Sequence, residues 1–204
     1  MIAYKFLRAG RIGPFSGFQW PECGVWVRAE EGLAGCRTGI HACRLRDLPW
    51  WLANELWEIE LEDDAATDEH KLIARGGCLR SRIEAWTPAC ADQYAKACAW
   101  RARDHAIEAL RRHGHEKQAA RMAGAGTLIE LRDAAGELAE LNPEARISLL
   151  MSQDGAACAL THAAPMGAYV AAHAAKRIGG PVAYDAERRW QSEWLARHLG
   201  LRPS

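Results

Sequence analysis

The apolar residues of this chain change their spacing at Thr87–Pro88, and that change constrains the fold more than any other feature. Before it, Trp57, Ile59 and Leu61 alternate with glutamates, a period of two that is typical of strands with one buried face. After it, apolar residues recur every three or four positions, as they do along helices. The sequence therefore predicts an α+β fold, in which an N-terminal antiparallel β-sheet of five to six strands precedes a C-terminal bundle of four to five helices.

The β-rich domain is expected to cover residues 1–86. Alternating and β-branched patterns predict its strands, which are residues 2–7, 25–28, 39–44, 57–62, 71–74 and 78–86. Gly76–Gly77 predicts the turn between the last two strands. Glu58 and Glu60 would then share the outer face with Arg80 and Arg82, and we expect these charges to pair across strands.

The helical domain is expected to cover residues 87–204 and to pack with the first domain as one compact unit. Threonine followed by proline at its start is a typical N-cap and first helical residue, and Gly114 predicts the end of that helix. The further helices are predicted at about residues 116–141 (interrupted at 124–126), 143–154, up to 179, and 185–198.

Composition excludes several classes of partner. The chain carries 26 Lys and Arg against 26 Asp and Glu, so no overall positive field would attract nucleic acid or an anionic membrane. No apolar run reaches the roughly 20 residues of a membrane span, and the N-terminus lacks the apolar core of a signal peptide. Seven irregularly spaced cysteines are typical of reduced thiols. We therefore expect a cytoplasmic protein.

The stretch Cys36–Leu61 gathers the residues with the most chemistry. His41 and Cys43 lie two positions apart on a predicted strand and therefore share a face. If that face lines a pocket, His41 is the expected acid–base group, with Cys43 or Cys36 as nucleophile. The alternative is a core histidine beside a buried thiol, an arrangement that is common in structural cores.

Further residues are candidates for binding a ligand. Arg37 and Arg44 lie close to the cysteines in sequence, where they could orient an anionic group. Trp50 and Trp51 are adjacent and do not easily both point inward, so one of them is the better candidate for contacting a ligand or partner. On the first helix, Arg101 and His105 share a polar stripe that would complete the site if it faced the sheet, and would otherwise be water-facing.

Two other chemistries are considered and not favoured. Cys23, Cys36, His41 and Cys43 are all zinc-type ligands, but their spacing contains no C-x2-C pair. The Glu-x-Glu pattern in the fourth strand matches any solvated sheet face with arginine partners. The common phosphate-binding, dinucleotide, zinc-protease and hydrolase motifs are missing from the sequence. We therefore predict neither a metal nor a cofactor.

Two resemblances to known families can be stated. Four segments resemble a small β-rich domain of uncharacterised bacterial and phage proteins: Tyr4–Leu7, Cys36–Cys43, Glu55–Leu61 and His70–Ala74. That resemblance implies no activity and no catalytic residue. Tyr4, His41 and the Glu-x-Glu strand together resemble ADP-ribosyltransferase-type folds, although Lys5 stands where an arginine or histidine would follow the tyrosine, and a serine-rich middle strand is missing. The Ala- and Arg-rich helical half resembles high-GC bacterial sequence in general.

Three functions follow as hypotheses. The first is a small enzyme or ligand-binding protein, with a Cys-, His- and Trp-lined pocket between sheet and helices. The second is a non-catalytic module that binds a partner or forms a homodimer through Trp190 and Trp194. The third, implied by resemblance, is an ADP-ribosyltransferase-like nucleotide-handling domain.

Overall fold

The computed structural model describes residues 1–29, 39–134 and 141–201. These residues form two compact units. The first consists of Met1–Cys90 and the chain from Ser192 onward, and the second is Ala91–Gln191. Antiparallel strands come first in the chain and helices follow, which confirms the α+β class.

Seven strands occur in the described part of the first unit, where five to six were predicted. They are β1 Ile2–Leu7, β2 Val27–Arg28, β3 Ile40–Ala42, β4 Glu55–Leu61, β5 Ala66–Asp68, β6 Lys71–Ala74 and β7 Gly76–Arg82, with a 3-10 helix at Leu45–Trp50. One sheet has the order β1-β4-β7-β2 and the other β3-β6-β5. A bridge between Tyr4 and Cys43 joins β1 to β3, so the two sheets meet at these residues.

The predicted turn at Gly76–Gly77 is wrong, because both glycines belong to β7. Gly77 pairs with Val27 on one side and with Leu61 on the other. A Cβ atom at this position would lie 3.1 Å from the Ile40 side chain. The glycine therefore allows close packing inside the sheet, a role that sequence alone does not distinguish from a turn.

The core of the first unit is built from the alternating faces of these strands. Its buried residues are Ala3, Leu7, Trp20, Ile40, Ala42, Trp57, Ile59, Leu61, Leu72, Ala74 and Leu79. This confirms the buried face predicted for β4. On the opposite face, Arg80 pairs with Glu60, and the Ser81 hydroxyl donates to Glu58 over 3.2 Å. The outer charge ladder thus forms at Glu60, whereas Arg82 lies 3.9 Å from Glu55 instead.

Five helices lie in the described part of the chain: α1 Pro88–Arg112, α2 Glu116–Gly124, α3 Leu128–Asp133, α4 Pro143–Leu160 and α5 Ala164–Leu199. The break between α2 and α3 is stabilised by a capping box at Thr127, whose hydroxyl accepts from the Glu130 amide. The predicted end of α4 at Gly155 is wrong. That glycine is buried within the helix, and its Cβ would approach Ala102 to 3.2 Å, so it permits close helix packing.

Helix α5 contains the predicted interruption. Gly179 and Gly180 have non-helical backbone angles, and Gly180 has a φ of 66°, which glycine adopts without strain. Pro181 then restarts the helix. In the described part of the chain, no helix combines the length and the apolar character that crossing a membrane requires.

Candidate ligand-binding pocket

The first unit contains a pocket of about 630 Å³. This volume lies within the range of sites that hold small organic ligands. Aromatic side chains contribute much of its wall: Tyr4, Phe6, Phe15, Phe18, Trp20 and Trp51. Three side chains bring positive charge to the lining, namely Lys5, Arg28 and Lys71, and the described residues place no carboxylate there. The lining is therefore rich in aromatic and basic side chains, and two of the basic ones, Arg28 and Lys71, are paired with the carboxylates of Glu62 and Asp68.

The rim of the pocket is a loop that Glu55 holds in place. The Glu55 carboxylate accepts hydrogen bonds from the Gly10 amide (3.0 Å), the Arg11 amide (3.2 Å) and Trp57 Nε1 (3.0 Å). Gly10 and Arg11 both have positive φ, 78° and 62°, which costs about 1–2 kcal/mol at a residue with a Cβ. The carboxylate stabilises this turn and with it the loop that carries Phe15.

The ionisation of Glu55 follows from the same contacts. Burial alone would raise its pKa, but the hydrogen bonds from Trp57, Gly10 and Arg11 outweigh burial and lower the pKa. Glu55 is thus a carboxylate at neutral pH. Sequence reasoning missed it, because a glutamate at the start of a strand carries no signal for a loop 44 residues earlier.

Phe15 is the most exposed aromatic residue at the rim. Its side chain is 87% exposed, and its ring meets Trp51 edge to face at 6.3 Å between centroids. Trp51 is held in turn by its Nε1, which donates to the His70 carbonyl over 2.7 Å. An exposed phenylalanine beside a fixed tryptophan offers apolar surface that a bound planar group would cover.

Lys5 lies on the core-facing side of β1, between Ala3 and Leu7. Its ammonium group donates to the His41 carbonyl and lies 5.1 Å from the centre of the Trp20 ring. Among the described residues, no carboxylate pairs with it. Burial lowers the pKa of Lys5 to about 8, partly opposed by Cys43. Sequence reasoning did not single out this lysine.

His41 lines the pocket, but the described lining contains no residue of helices α1–α5, whereas the first hypothesis expected a pocket between sheet and helices. Burial lowers the pKa of its ring, and the charges of Lys5 and Lys71 lower it further. The ring is therefore neutral at physiological pH. Its Nε2 is buried and has no hydrogen-bond partner among the described residues.

Cys43 also lines the pocket, but its environment does not suit a nucleophile. Its side chain is 2% exposed. Burial raises the pKa of the thiol, and Asp47 raises it further, against the smaller opposing effects of Lys5 and Arg44. Because the thiolate is the reactive form, this environment disfavours Cys43 as the nucleophile that the sequence suggested.

The two neighbouring tryptophans separate as expected for a pair that cannot both point inward. Trp51 lines the pocket, whereas Trp50 stacks on His70 with 4.0 Å between ring centroids. Arg44 does not line the pocket either. It pairs with Asp47 and donates to the Glu69 carbonyl over 2.9 Å, so it fixes the 3-10 helix instead of orienting a ligand.

The remaining candidates from this stretch, Cys36 and Arg37, lie outside the described residues. Within the described ranges, no group of three or more His, Cys, Asp or Glu side chains is arranged to hold a metal. Cys23 is exposed and Cys43 is buried. The carboxylates of the Glu-x-Glu strand are not among the described lining residues, although Glu58 lies opposite the lining residue Tyr4 on the neighbouring strand.

Arg101 and His105 belong to the second unit and have a different role from the one expected. Both contact Glu187, whose Oε2 lies 2.6 Å from Arg101 Nη2 and 3.0 Å from His105 Nε2. Glu187 is 1% exposed. Burial would raise its pKa, but the hydrogen bonds from His105 and Arg101 outweigh burial and lower it. Arg101 and the buried Glu187 thus form an ion pair between α1 and α5, and His105 contacts the same carboxylate oxygen.

The tryptophans of the partner-binding hypothesis also have contacts within their own units. The guanidinium carbon of Arg101 lies over the Trp190 ring, 4.8 Å from the ring centre. Trp194 stacks on His198 with 3.6 Å between ring centroids. Both indoles are half-buried, and neither forms a broad exposed apolar patch by itself.

Comparison with known proteins adds no relative. No protein-family model matches the chain, and no curated protein or solved structure matches it either. The resemblances of the first 86 residues to a β-rich domain and to ADP-ribosyltransferase-type folds stay predictions.

Proposed function

We propose that the first unit binds a small anionic ligand that carries a planar or aromatic group. The observation that supports this most is the composition of the pocket lining, with three cationic side chains and no carboxylate among the described residues. A partly apolar cavity lined by basic side chains and by no acidic ones favours an anion over a neutral or cationic ligand. The aromatic rim at Phe15 and Trp51 favours a planar group at the entrance.

Each polar group has a distinct role in this proposal. Lys71 is 7% exposed and bridges to Asp68 over 3.1 Å, so its position is fixed before a ligand arrives. Arg28 bridges to Glu62 over 2.7 Å, but its side chain is 75% exposed, so it can turn toward a ligand at small cost. His41 is the candidate acid–base group of the pocket, because its ring is neutral and can accept a proton.

The test is a thermal-shift screen of small anions, confirmed by calorimetric titration. The panel contains aromatic carboxylates, nucleoside monophosphates and NAD, each beside its uncharged analogue. We expect aromatic anions to raise the melting temperature and their uncharged analogues to have a smaller effect. A response to NAD alone would favour the ADP-ribosyltransferase-like alternative.

A lysine pair provides the matched variants. Lys71→Met should weaken binding about tenfold or more, because it removes a charge-assisted contact worth roughly 1.5–3 kcal/mol. Lys117→Met removes an exposed lysine from α2 and should leave the affinity unchanged. The proposal fails if no anion of the panel stabilises the wild type, or if both variants bind the best anion as the wild type does.

A further inference from the structure

Lys5 has an environment that differs from that of an ordinary ion-pairing lysine. It occupies a core-facing strand position and lines the pocket. One backbone carbonyl, that of His41, accepts from its amine, and the Trp20 ring lies beside it. A lysine that only neutralises an anion gains nothing from such burial, because desolvation disfavours the charged form.

The same burial favours the neutral amine. With a pKa of about 8, roughly a quarter of Lys5 is unprotonated at pH 7.5, against about one part in a thousand for an ordinary lysine. The neighbouring titratable groups do not offset this. The raised pKa of Cys43 and the lowered pKa of His41 leave both uncharged near pH 8. Only the unprotonated amine can attack an electrophile, and desolvation in an apolar pocket is one way to obtain it.

We propose that Lys5 is a nucleophile, which forms a reversible imine with the carbonyl carbon of an aldehyde or ketone bound in the pocket. The inference rests on the proposed function, because the pocket must first admit a ligand. It assigns that ligand to the carbonyl compounds, with an anionic group placed near Lys71 and Arg28 and a planar part against the aromatic rim.

The chemical step balances without a further reactant. The lone pair of Lys5 Nζ forms a bond to the carbonyl carbon, and the C=O π bond breaks as its oxygen takes up a proton. The nitrogen then loses its protons, the hydroxyl is protonated and leaves as water, and the C=N bond forms. Nothing is oxidised or reduced, and the protons exchange with solvent. The His41 carbonyl, which accepts from the resting amine, fixes the direction of its approach.

The experiment traps the imine by reduction. The full-length protein is incubated at pH 7.5 with 4-formylbenzoate and sodium cyanoborohydride, and the modified residue is located by peptide mass spectrometry. The chain has only five lysines, at positions 5, 71, 96, 117 and 176, and one α-amino group, so each site can be quantified separately. Benzaldehyde serves as the uncharged probe.

We expect Lys5 to be labelled about tenfold faster than any other lysine, because its larger neutral fraction outweighs the lower intrinsic reactivity of a weaker base. With cyanoborohydride in enough excess that attack by the amine limits the rate, labelling of Lys5 should slow about tenfold per pH unit below pH 8. Benzaldehyde should label it more slowly than the anionic probe. Lys117, an exposed lysine of α2, is the internal reference for general surface modification in the same sample.

Two outcomes would overturn the inference, and they are distinguishable. If 4-formylbenzoate raises the melting temperature but Lys5 is labelled no faster than the other lysines, the pocket binds anions and Lys5 is not a nucleophile. If the probe neither stabilises the protein nor labels Lys5, the proposed function fails as well. The labelling is mapped on the wild type, so the test does not depend on whether a Lys5 variant folds.

Discussion

Lys5→Met should stabilise the protein, and the gain should shrink as the pH rises. The pKa of Lys5 is lowered from 10.5 to about 8 in the folded state. The unfolded chain therefore holds the proton at pH values where the folded chain has released it, and wild-type stability rises with pH between these values. Below pH 8 the folded protein bears the full cost of the half-buried ammonium group. Methionine has a similar length and carries no charge, so it removes that cost.

The magnitude follows from the two pKa values of Lys5. The full cost is roughly 3 kcal/mol, at about 1.4 kcal/mol per pH unit. Proton linkage predicts that the gain from Lys5→Met is largest at pH 7 and about 1.4 kcal/mol smaller at pH 9. Changes in packing alter the free energy of unfolding of the variant by the same amount at every pH. The quantity to compare is therefore how the difference between variant and wild type changes with pH.

Urea unfolding at pH 7, 8 and 9, followed by tryptophan fluorescence, measures this change. The range stops at pH 9 because the raised pKa values of Cys43 and Cys98 lower the stability of both proteins above it. Lys117→Met is the control and should follow the wild type at every pH. If Lys5→Met and the wild type keep a constant difference from pH 7 to 9, Lys5 has an ordinary pKa and the argument from its burial is refuted.

Three further variants test the contacts that position the pocket and the second unit. Glu55→Gln should lower the free energy of unfolding by about 1.5–3 kcal/mol and weaken anion binding, because the rim loop loses its charged acceptor. The wild type should lose this contribution as the pH falls through the lowered pKa of Glu55, and an unchanged unfolding curve would contradict the role. Glu187→Gln should lower the free energy of unfolding by about 3 kcal/mol. This is the lower end for breaking a buried ion pair, because the arginine partner of Glu187 is partly exposed. Equal stability of variant and wild type in calorimetry would show that the pair is dispensable. Thr127→Ala should cost about 1 kcal/mol in urea unfolding, and a loss below the error of the measurement would mean that the capping box does not fix the start of α3.

The sequence predicts the first unit best where one face of a strand is charged. The glutamates of β4 separate a buried face from a solvated one, so the core at Trp57 and Ile59 could be predicted and is confirmed. In β1 the same alternation is ambiguous, because apolar residues occupy both faces. The lysine suggests that its own face is the solvated one, yet Ala3 and Leu7 beside it are buried. The pattern shows the period of the strand and not the side that packs.

Contacts between residues far apart in the sequence could not be predicted either. Arg101 and His105 do share one face of α1, since both contact the same carboxylate oxygen. What that face meets depends on Glu187, which is 86 residues from Arg101. A polar stripe that binds a ligand and one that binds a buried carboxylate have the same sequence pattern, since both need donors at helical spacing.

The energetics of Lys5 argue that its position has a use beyond the fold. Its cation–π contact with Trp20 contributes about 0.5–2 kcal/mol, and its hydrogen bond to the His41 carbonyl adds to that, against the roughly 3 kcal/mol that ionisation at this position costs. A carboxylate would stabilise the ammonium group more strongly than either contact, and none of the described residues supplies one. A methionine or leucine would pack against Ala3 and Leu7 without that cost. Local conflicts of this kind are expected where a residue is retained for chemistry, and the pocket beside Lys5 is where that chemistry would occur.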